Sequence, residues 1–402
     1  MTDKIQHHKF RPRQAWGAVL AMSLSAFALV ASEFMPVSLL TPIAGELHIS
    51  EGQAGQAISI SGAFALLTSL MISAVAGKRD RKHMLLCLTL LMIISGTVVA
   101  FAPNYGVFMV GRALIGIAIG GFWSLSAAVV MRLVDSHHVP RALAILNGGN
   151  ALATVLAAPL GSFLGAIIGW RWAFFCVVPV AVIALAWKIQ ALPPLKQDVS
   201  PISGNIFRLL HRLPVVLGMT ACALFFMGQF TLFTYLRPFL ESVAKVDTTT
   251  LSLILLIIGV AGFAGTALIG IFIRRNLYRP LMVLPLLMAA IALALVNVGE
   301  HVVVTTLLLG LWGLFATAAP VGWWTWLAKT LPQDAEAGGG LMVAIIQLAI
   351  MLGAVTGGVL YDARGYQATF EVSAVLLIAA SLCALFTARS EGGTSIKVIM
   401  RS

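Results

Sequence analysis

The sequence predicts an all-α membrane protein with about twelve transmembrane helices, and two observations lead to this fold class. Of the 402 residues, 59% are apolar and only 10% are charged, and the mean hydropathy is +0.96. Soluble domains have roughly 45 to 50% apolar and about 25% charged residues, so a water-soluble fold cannot bury this much apolar surface. The second observation is a series of long apolar segments, each able to cross a hydrocarbon core of about 30 Å as a helix.

The apolar segments alternate with short polar connections along the whole chain. The first segment is longer than the apolar region of a signal peptide, which is about 7 to 15 residues, so we expect an uncleaved first helix. The predicted spans are residues 15–40, 54–76, 84–102, 106–131, 142–168, 170–190, 214–239, 250–273, 281–298, 302–328, 338–360 and 367–388.

The net charge of +11 is explained by the placement of Lys and Arg in the loops of a membrane protein, and not by a nucleic-acid-binding surface. With the N-terminus in the cytoplasm, 21 of the 26 Lys and Arg residues fall in cytoplasmic segments, including Lys188 beside the central linker. The remaining five are Arg112, Arg171, Arg237, Lys245 and Arg364. This asymmetry is the positive-inside pattern, so it predicts that both termini are cytoplasmic and that the partner is the lipid bilayer, not nucleic acid.

The longest polar connection lies between spans 6 and 7 and divides the chain into two halves. We predict an N-terminal six-helix bundle at residues 1–190, a cytoplasmic linker at 191–213, and a C-terminal six-helix bundle with a short tail at 214–402. Pro36 and Pro238 lie near the outer ends of spans 1 and 7, 202 residues apart. Such repeats are typical of transporters built from two related halves.

Two ionisable residues inside the spans are the strongest candidates for chemistry. A charged side chain at the membrane centre costs roughly 2.5 to 3.5 kcal/mol, so it is expected to have a use. Glu33 in span 1 and Arg112 in span 4 have comparable predicted depths. Glu33 is therefore a candidate proton carrier with Arg112 close to it. The alternatives are a structural ion pair between these two residues and an interfacial carboxylate in water.

Neutral polar and aromatic residues inside the spans are candidates for binding a solute. Amides both donate and accept hydrogen bonds, and aromatic faces stack on flat or sugar-like molecules, so this chemistry suits a neutral polar substrate. The alternative is hydrogen bonding and packing between helices. The candidate substrate-binding residues are Trp123, Asn147, Asn150, Gln229, Tyr235 and Gln347. By contrast, we predict that Trp323, Trp324 and Trp326 form an interfacial aromatic belt.

Signals for an enzyme, a metal site or a cofactor are weak. The eight histidines lie in termini, loops or span edges, and the four cysteines are isolated in apolar stretches, so we expect reduced packing cysteines and no metal. Neither a glycine-rich phosphate loop with lysine nor a nucleophile elbow occurs in the sequence. We therefore predict no catalytic residues and an ion gradient as the energy source. This pattern favours a transporter, and the competing classes are a membrane-embedded enzyme and a non-transporting receptor.

Three motifs resemble those of the major facilitator superfamily, in its drug-and-proton antiporter branch. The segment Gly77-Lys-Arg-Asp80-Arg81-Lys82 is similar to the acidic and basic loop between spans 2 and 3, although it is shortened, and the resemblance implies a role in gating. The segment around Arg112, Gly-Arg-Ala-Leu-Ile-Gly, is similar to a span 4 motif that the family associates with proton coupling.

The third motif, Ala158-Pro159-Leu160-Gly161, resembles the antiporter motif of span 5, with alanine in place of the expected glycine, and it implies export. Further segments look like the purine ribonucleoside efflux pump group, and sugar efflux transporters share parts of the same pattern. These segments include Glu33-Phe-Met-Pro, Gly121-Phe-Trp123, Gly228-Gln229-Phe, Phe233-Thr-Tyr235 and Ile346-Gln347-Leu.

The resemblance implies a monomer in a bacterial inner membrane that exports solutes such as inosine or guanosine in exchange for protons. The alternative is a sugar or multidrug proton antiporter of the same superfamily. In either case we expect two bundles that rock about a central cavity near the membrane midplane.

Overall fold

The computed structural model describes residues 12–76, 79–195, 206–331 and 335–399, and all regular structure within these ranges is helical. Residues Gly77 and Lys78 of the predicted gating loop and residues 196–205 of the predicted linker lie outside them. The α-helices are α1 (Pro12–Leu47), α2 (Glu51–Ala76), α3 (Arg81–Ala100), α4 (Tyr105–Leu133), α5 (Val139–Ile168), α6 (Trp170–Phe175), α7 (Val177–Ala191), α8 (Leu213–Phe233), α9 (Leu236–Ser242), α10 (Thr248–Arg275), α11 (Tyr278–Val298), α12 (Val302–Thr330) and α13 (Ala335–Ile399).

Eleven segments of the described chain are long and apolar enough to cross a membrane. Ten of them correspond one to one with predicted spans; α6 and α7 together form the sixth, and α8 and α9 the seventh. The eleventh, Gly338–Ser390, covers both of the last two predicted spans. A straight helix of its 53 residues would be about 80 Å long, far more than a bilayer needs. Its backbone leaves the helical conformation at Gly365, where φ is 76° and ψ is −170°.

The helices run alternately between two ends of the molecule. At the end that we call the linker end, α7 ends, α8 begins, and the Oδ1 atom of Asp80 accepts a hydrogen bond from the backbone N–H of Leu195 at 2.8 Å. At the opposite end, the far end, the Nε1 atom of Trp170 donates to Glu46 at 2.6 Å. The Glu46 carboxylate also pairs there with Arg171.

The turns at the far end reveal an internal repeat. Among the described residues, four have a positive φ: His48 and Lys245 just after α1 and α9, and Gly169 and Gly365 before Trp170 and Tyr366. The members of these pairs are 197 and 196 residues apart. Pro36 and Pro238, which predict a repeat of 202 residues, are therefore not equivalent positions. The helix α8 breaks at Thr234 and Tyr235 before the second proline, whereas α1 continues unbroken through the first.

The buried apolar side chains form two clusters. One consists almost entirely of residues 18–195 and the other almost entirely of residues 209–384. Between them, α2 packs on α13 and α5 packs on α10. Small residues permit this approach: a Cβ atom added to Gly259 of α10 would lie 2.7 Å from the backbone of Val155 in α5.

Two expectations about the ends of helices are wrong. The side chains of Trp323 and Trp326 are buried instead of forming an interfacial belt, because α12 turns them towards the core, where Trp326 packs over Gly218 of α8. Only Trp324 is exposed, at 43%. Lys188, which the charge pattern predicts in a cytoplasmic segment, is fully buried in the last turns of α7.

Candidate functional site

Glu33 lies on α1 at the boundary between the two halves. Its side chain is 6% exposed, and its Oε1 atom accepts a hydrogen bond from the Nε2 atom of Gln347 in α13 at 3.5 Å. Gln347 is also buried, and in the part of the chain that the structure describes its own Oε1 atom has no hydrogen-bond partner. The two side chains therefore join the halves through a buried polar contact, and the Oε1 atom of Gln347 lies on the same amide that contacts the carboxyl group.

Arg112 reaches the same region from α4, but its guanidinium contacts main-chain carbonyls. It donates to Ser32 at 2.7 Å, to the carbonyl of Glu33 at 3.1 Å and to Ala57 at 3.1 Å. The contact with Ser32 has a simple cause: Pro36, four residues later in α1, has no N–H to donate to that carbonyl. Arg112 thus supplies the hydrogen bond that Pro36 removes, and the carboxyl group of Glu33 has Gln347 as its partner instead.

A second arginine serves the other proline of α1 in the same way. Pro42 leaves the carbonyl of Ser38 without its helical donor. That carbonyl accepts a hydrogen bond from Arg237 of α9, which also pairs with Glu241 at 2.8 Å. Because Arg237 belongs to the C-terminal half, this contact joins the halves at the far end.

A cavity of about 80 Å³ lies between the halves next to this site. Phe34, the neighbour of Glu33, lines it and stacks on Phe230 across the interface, with 5.8 Å between ring centroids. Gln229 and Trp312 also line it. The Oε1 atom of Gln229 and the Nε1 atom of Trp312 are buried without a hydrogen-bond partner among the described residues. These two residues therefore hold one acceptor and one donor at the cavity wall between aromatic faces, and separation of the halves would make both available to a polar, flat solute.

The predicted substrate-binding residues fall in different places. Gln229 lines the cavity, and Gln347 contacts Glu33. Asn147 and Asn150 lie on α5 towards the linker end; Asn147 is exposed and donates to Leu143 in its own helix at 2.9 Å. The half-buried Trp123 packs edge-on against its neighbour Phe122.

Tyr235 is the most deeply buried of the predicted substrate residues. It is inaccessible to solvent, donates to the carbonyl of Ala354 at 2.9 Å and stacks on Tyr361 with 5.3 Å between centroids. These contacts place it in the packing of the far end, beside Gly55 of α2, rather than in the cavity.

The predicted gating loop is bound to the end of α7. Asp80 caps α3 by accepting from the N–H of Lys82 at 2.9 Å. The backbone N–H of Arg81 donates to Leu195 at 3.2 Å, and the Nζ atom of Lys82 donates to Ile189 at 2.9 Å. The described part of the loop therefore ties α3 to the segment that leads into the linker.

The antiporter motif packs α5 against α1. Pro159 is buried within α5, and a Cβ atom added to Gly161 would lie 3.2 Å from Met35 and would overlap the hydroxyl of Ser38. The motif therefore sets the distance between α5 and the part of α1 that follows Glu33.

Sequence reasoning missed Lys188, since its place near a helix end made it resemble a loop charge. Its Nζ atom donates to Thr89 and lies 5.8 Å from the ring centroid of Phe122. A lysine thus links α7 to α3 and α4 inside the N-terminal half. Hydropathy does not separate this lysine from a loop charge, because its burial depends on how α3 and α4 pack against α7.

A membrane-spanning helical fold with an internal repeat, and with a cavity and a buried carboxyl group between its halves, defines a membrane transporter. The chain belongs to the Major Facilitator Superfamily, whose family model matches residues 22–340. This is a superfamily of transporters and not of enzymes.

Two relatives cover nearly the whole chain. One, named transcription regulatory protein OpdE, is from Pseudomonas aeruginosa; it is 59% identical over 381 residues, which is 94% of this chain and 95% of that protein. The other, named purine ribonucleoside efflux pump NepI, is from Salmonella enteritidis; it is 40% identical over 370 residues, 92% of this chain and 93% of that protein.

Two solved structures share the fold. A bacterial homologue of the human lysosomal transporter Spinster, in an inward-facing and unoccupied conformation, matches with a TM-score of 0.77 and 15% identity over 95% of this chain and 98% of its own. A D-xylose-proton symporter matches with a TM-score of 0.72 and 16% identity over 92% of this chain and 96% of its own.

Proposed function

We propose that this protein exports a small polar solute, namely a purine ribonucleoside such as inosine or guanosine, in exchange for protons. One observation carries the proposal: the buried carboxyl group of Glu33 lies beside a cavity with aromatic walls. It accepts a hydrogen bond from Gln347 of the other half. A proton on Glu33 changes this contact between the halves. A solute in the cavity separates or joins the same surfaces, so both ligands can bias one conformational equilibrium.

The name of the 40% identical efflux pump supports the purine ribonucleoside as substrate. The cavity chemistry agrees with it, because Trp312 and Gln229 offer a free donor and a free acceptor to a planar base. A volume of about 80 Å³ is smaller than the roughly 300 to 1,000 Å³ of pockets that hold drug-sized ligands, so the halves have to separate to admit a nucleoside. Trp123, Asn147, Asn150 and Tyr235 stay predictions as further substrate contacts.

The proposal includes a topology. We propose twelve spans, with the eleventh apolar segment crossing twice about Gly365, arranged as two six-helix bundles joined by the linker at 191–213. The linker end then faces the cytoplasm with both termini, in agreement with the distribution of Lys and Arg. We further propose a monomer in a bacterial inner membrane.

The test is uptake of radiolabelled inosine into everted membrane vesicles whose lumen is more acidic than the medium. Exchange of one proton per solute across one pH unit supports about tenfold accumulation, because each unit is worth about 1.4 kcal/mol. We expect the wild type to reach this level. In Glu33→Gln, which keeps a hydrogen-bonding side chain but cannot ionise, accumulation is expected to fall to the level without a gradient.

The matched control is Glu46→Gln, because Glu46 is a carboxylate at the far end whose partners among the described residues, Trp170 and Arg171, belong to the N-terminal half. Its transport should equal that of the wild type. Gradient-driven uptake that persists in Glu33→Gln would remove Glu33 from proton coupling, and a wild type without inosine flux would redirect the assignment to sugars or drugs.

A second candidate, transcription regulation, is favoured by the name of the 59% identical relative. A transporter can change transcription without contacting DNA, since export of an inducer lowers its concentration in the cell. A transcriptional effect that is unchanged in Glu33→Gln would separate regulation from transport.

A further inference from the structure

Asp362 of α13 makes an unusual contact with the opposite half of the molecule. Its Oδ1 atom accepts from the backbone N–H of Gly52 at 2.9 Å, and its Oδ2 atom accepts from the hydroxyl of Ser50 at 2.5 Å. Ser50 and Gly52 form the start of α2, where the first N–H groups of a helix have no partner within it. A carboxylate from the C-terminal half therefore caps a helix of the N-terminal half.

The backbone around this contact has no room for a side chain. A Cβ atom added to Gly52 would overlap the carboxylate of Asp362 and lie 2.7 Å from the carbonyl of Gly358. A Cβ atom added to Gly358 would lie 3.1 Å from the carbonyl of Gly52 and 2.5 Å from the hydroxyl of Tyr235. The glycines thus allow α2 and α13 to approach until the carboxylate reaches the start of the helix.

We propose that Asp362 is a gating residue that holds the far end shut while the cavity communicates with the linker end. We call its contacts with Ser50 and Gly52, together with that of Arg237 with the Ser38 carbonyl, the far-end latch. The latch consists of hydrogen bonds between the halves. Behind it, Ser38 is inaccessible to solvent. On the opposite side, Thr154 lines the cavity and Asn147, seven residues earlier on the same face of α5, is exposed, so the proposal places the opening of the cavity along this face.

The start of α2 is built so that the latch can release. The backbone N–H of Ser50 donates to the side chain of Gln53 at 3.0 Å, and the N–H of Gln53 donates to the hydroxyl of Ser50 at 3.0 Å. This reciprocal capping box lies within one half, so it survives separation of the halves. On opening, the groups of the latch, namely the N–H of Gly52, the hydroxyl of Ser50, the Asp362 carboxylate and the Arg237 guanidinium, exchange their partners in the other half for water, so the far end can open during each cycle.

The inference rests on alternating access, which is part of the proposed function, but its test needs neither substrate nor a proton gradient. With Cys87, Cys176, Cys222 and Cys383 replaced by serine, a single cysteine is placed at Ser38 as a far-end reporter or at Ala151, between Asn147 and Thr154, as a linker-end reporter. The rate of labelling by a membrane-impermeant maleimide is measured from each side of oriented proteoliposomes.

We expect Asp362→Ala to raise the labelling rate at Ser38→Cys about tenfold and to lower it at Ala151→Cys, since the loss of charged hydrogen bonds shifts the equilibrium towards a far-end-open state. The matched control is Glu46→Ala, which removes a far-end carboxylate bonded within one half. It should change neither rate by more than about twofold.

Gly52→Ala is the second variant, because its methyl group displaces Asp362 while leaving every charge in place. Like Asp362→Ala, it should raise the labelling rate at Ser38→Cys and lower it at Ala151→Cys. The control Gly45→Ala, whose added Cβ has no described atom within 4 Å, should change neither rate. Unchanged rates in both latch variants would overturn the proposal. Rates that rise at both reporters would overturn it too, since they would indicate general loosening. Failure of inosine transport alone would leave this result standing.

Discussion

At the scale of single residues, the prolines of α1 explain where the buried arginines lie. A proline removes the donor for the carbonyl four residues earlier, and a membrane interior offers no water to replace it. Arg112 fills this role for Ser32, and Arg237 fills it for Ser38. The charged side chains therefore stabilise a helix that could not otherwise carry two prolines, and the Glu33 carboxyl keeps Gln347 as its partner.

This explanation predicts coupling between Arg112 and Pro36. Arg112→Met should lower the free energy of unfolding in detergent by about 2 to 4 kcal/mol, because it strands buried carbonyls that each cost about 1 to 3 kcal/mol when unpaired. In a Pro36→Ala background, the backbone N–H at position 36 can donate a hydrogen bond to the carbonyl of Ser32. The cost of Arg112→Met in unfolding free energy should therefore fall by about 1 to 2 kcal/mol.

The control for this cycle is Pro42→Ala, which restores a donor only for Ser38, the carbonyl bonded by Arg237. It should leave the cost of Arg112→Met unchanged. Equal rescue by both proline substitutions, measured by thermal or denaturant unfolding, would mean that the prolines act on α1 in general and not through the carbonyl of Ser32.

The sequence located these residues but not their partners. Hydropathy and the count of residues from the helix end were enough to put Glu33 and Arg112 at similar depth. The Glu33 to Arg112 ion pair, one of the expected alternatives, depended on side-chain directions that spacing does not determine. The role of Asp362 could not be predicted for a similar reason. In the sequence it resembles a solvated loop charge near a span end, and only the structure shows that it contacts the start of α2.

At the scale of elements, helix existence was predictable because a bilayer fixes the minimum length of an apolar segment. The breaks were harder to predict. The separation of α8 from α9 follows from turn residues Thr234 and Tyr235 that hydropathy counts as ordinary span residues. Close packing of the spans depends on individual glycines, and the structure distinguishes glycines at helix interfaces from those in open space.

Gly116 of α4 and Gly148 of α5 make that distinction measurable. A Cβ atom added to Gly116 would lie 2.9 Å from the Cα and C atoms of Ser61 in α2, whereas one added to Gly148 meets nothing within 4 Å. Gly116→Ala should therefore destabilise the protein by about 1 to 3 kcal/mol through overpacking. Gly148→Ala should be neutral or stabilising by up to about 1 kcal/mol, because alanine favours the helix. Similar unfolding free energies for the two variants would contradict this packing.

At the scale of the whole molecule, the repeat explains why the same turn occurs twice. His48 and Lys245 follow the first span of each half, and Gly169 and Gly365 separate the fifth from the sixth. The left-handed backbone conformation is readily available to glycine, so each glycine turn reverses the chain without the strain that a side chain would add. Because Gly365 corresponds to Gly169, the long α13 is expected to turn back just as α5 does into α6.

This correspondence predicts twelve crossings rather than eleven. With twelve, the N- and C-termini lie on the same side of the membrane; with eleven, they lie on opposite sides. We expect a fluorescent protein fused to either terminus to fluoresce in the cytoplasm, whereas alkaline phosphatase inserted after Gly365, at the far end, should be active in the periplasm. The control insertion follows Gly169, the corresponding far-end turn of the first half, and should behave identically. A C-terminal fusion that does not fluoresce, beside an N-terminal fusion that does, would show that the last apolar segment crosses only once and would remove the two-bundle topology on which the proposed exchange depends.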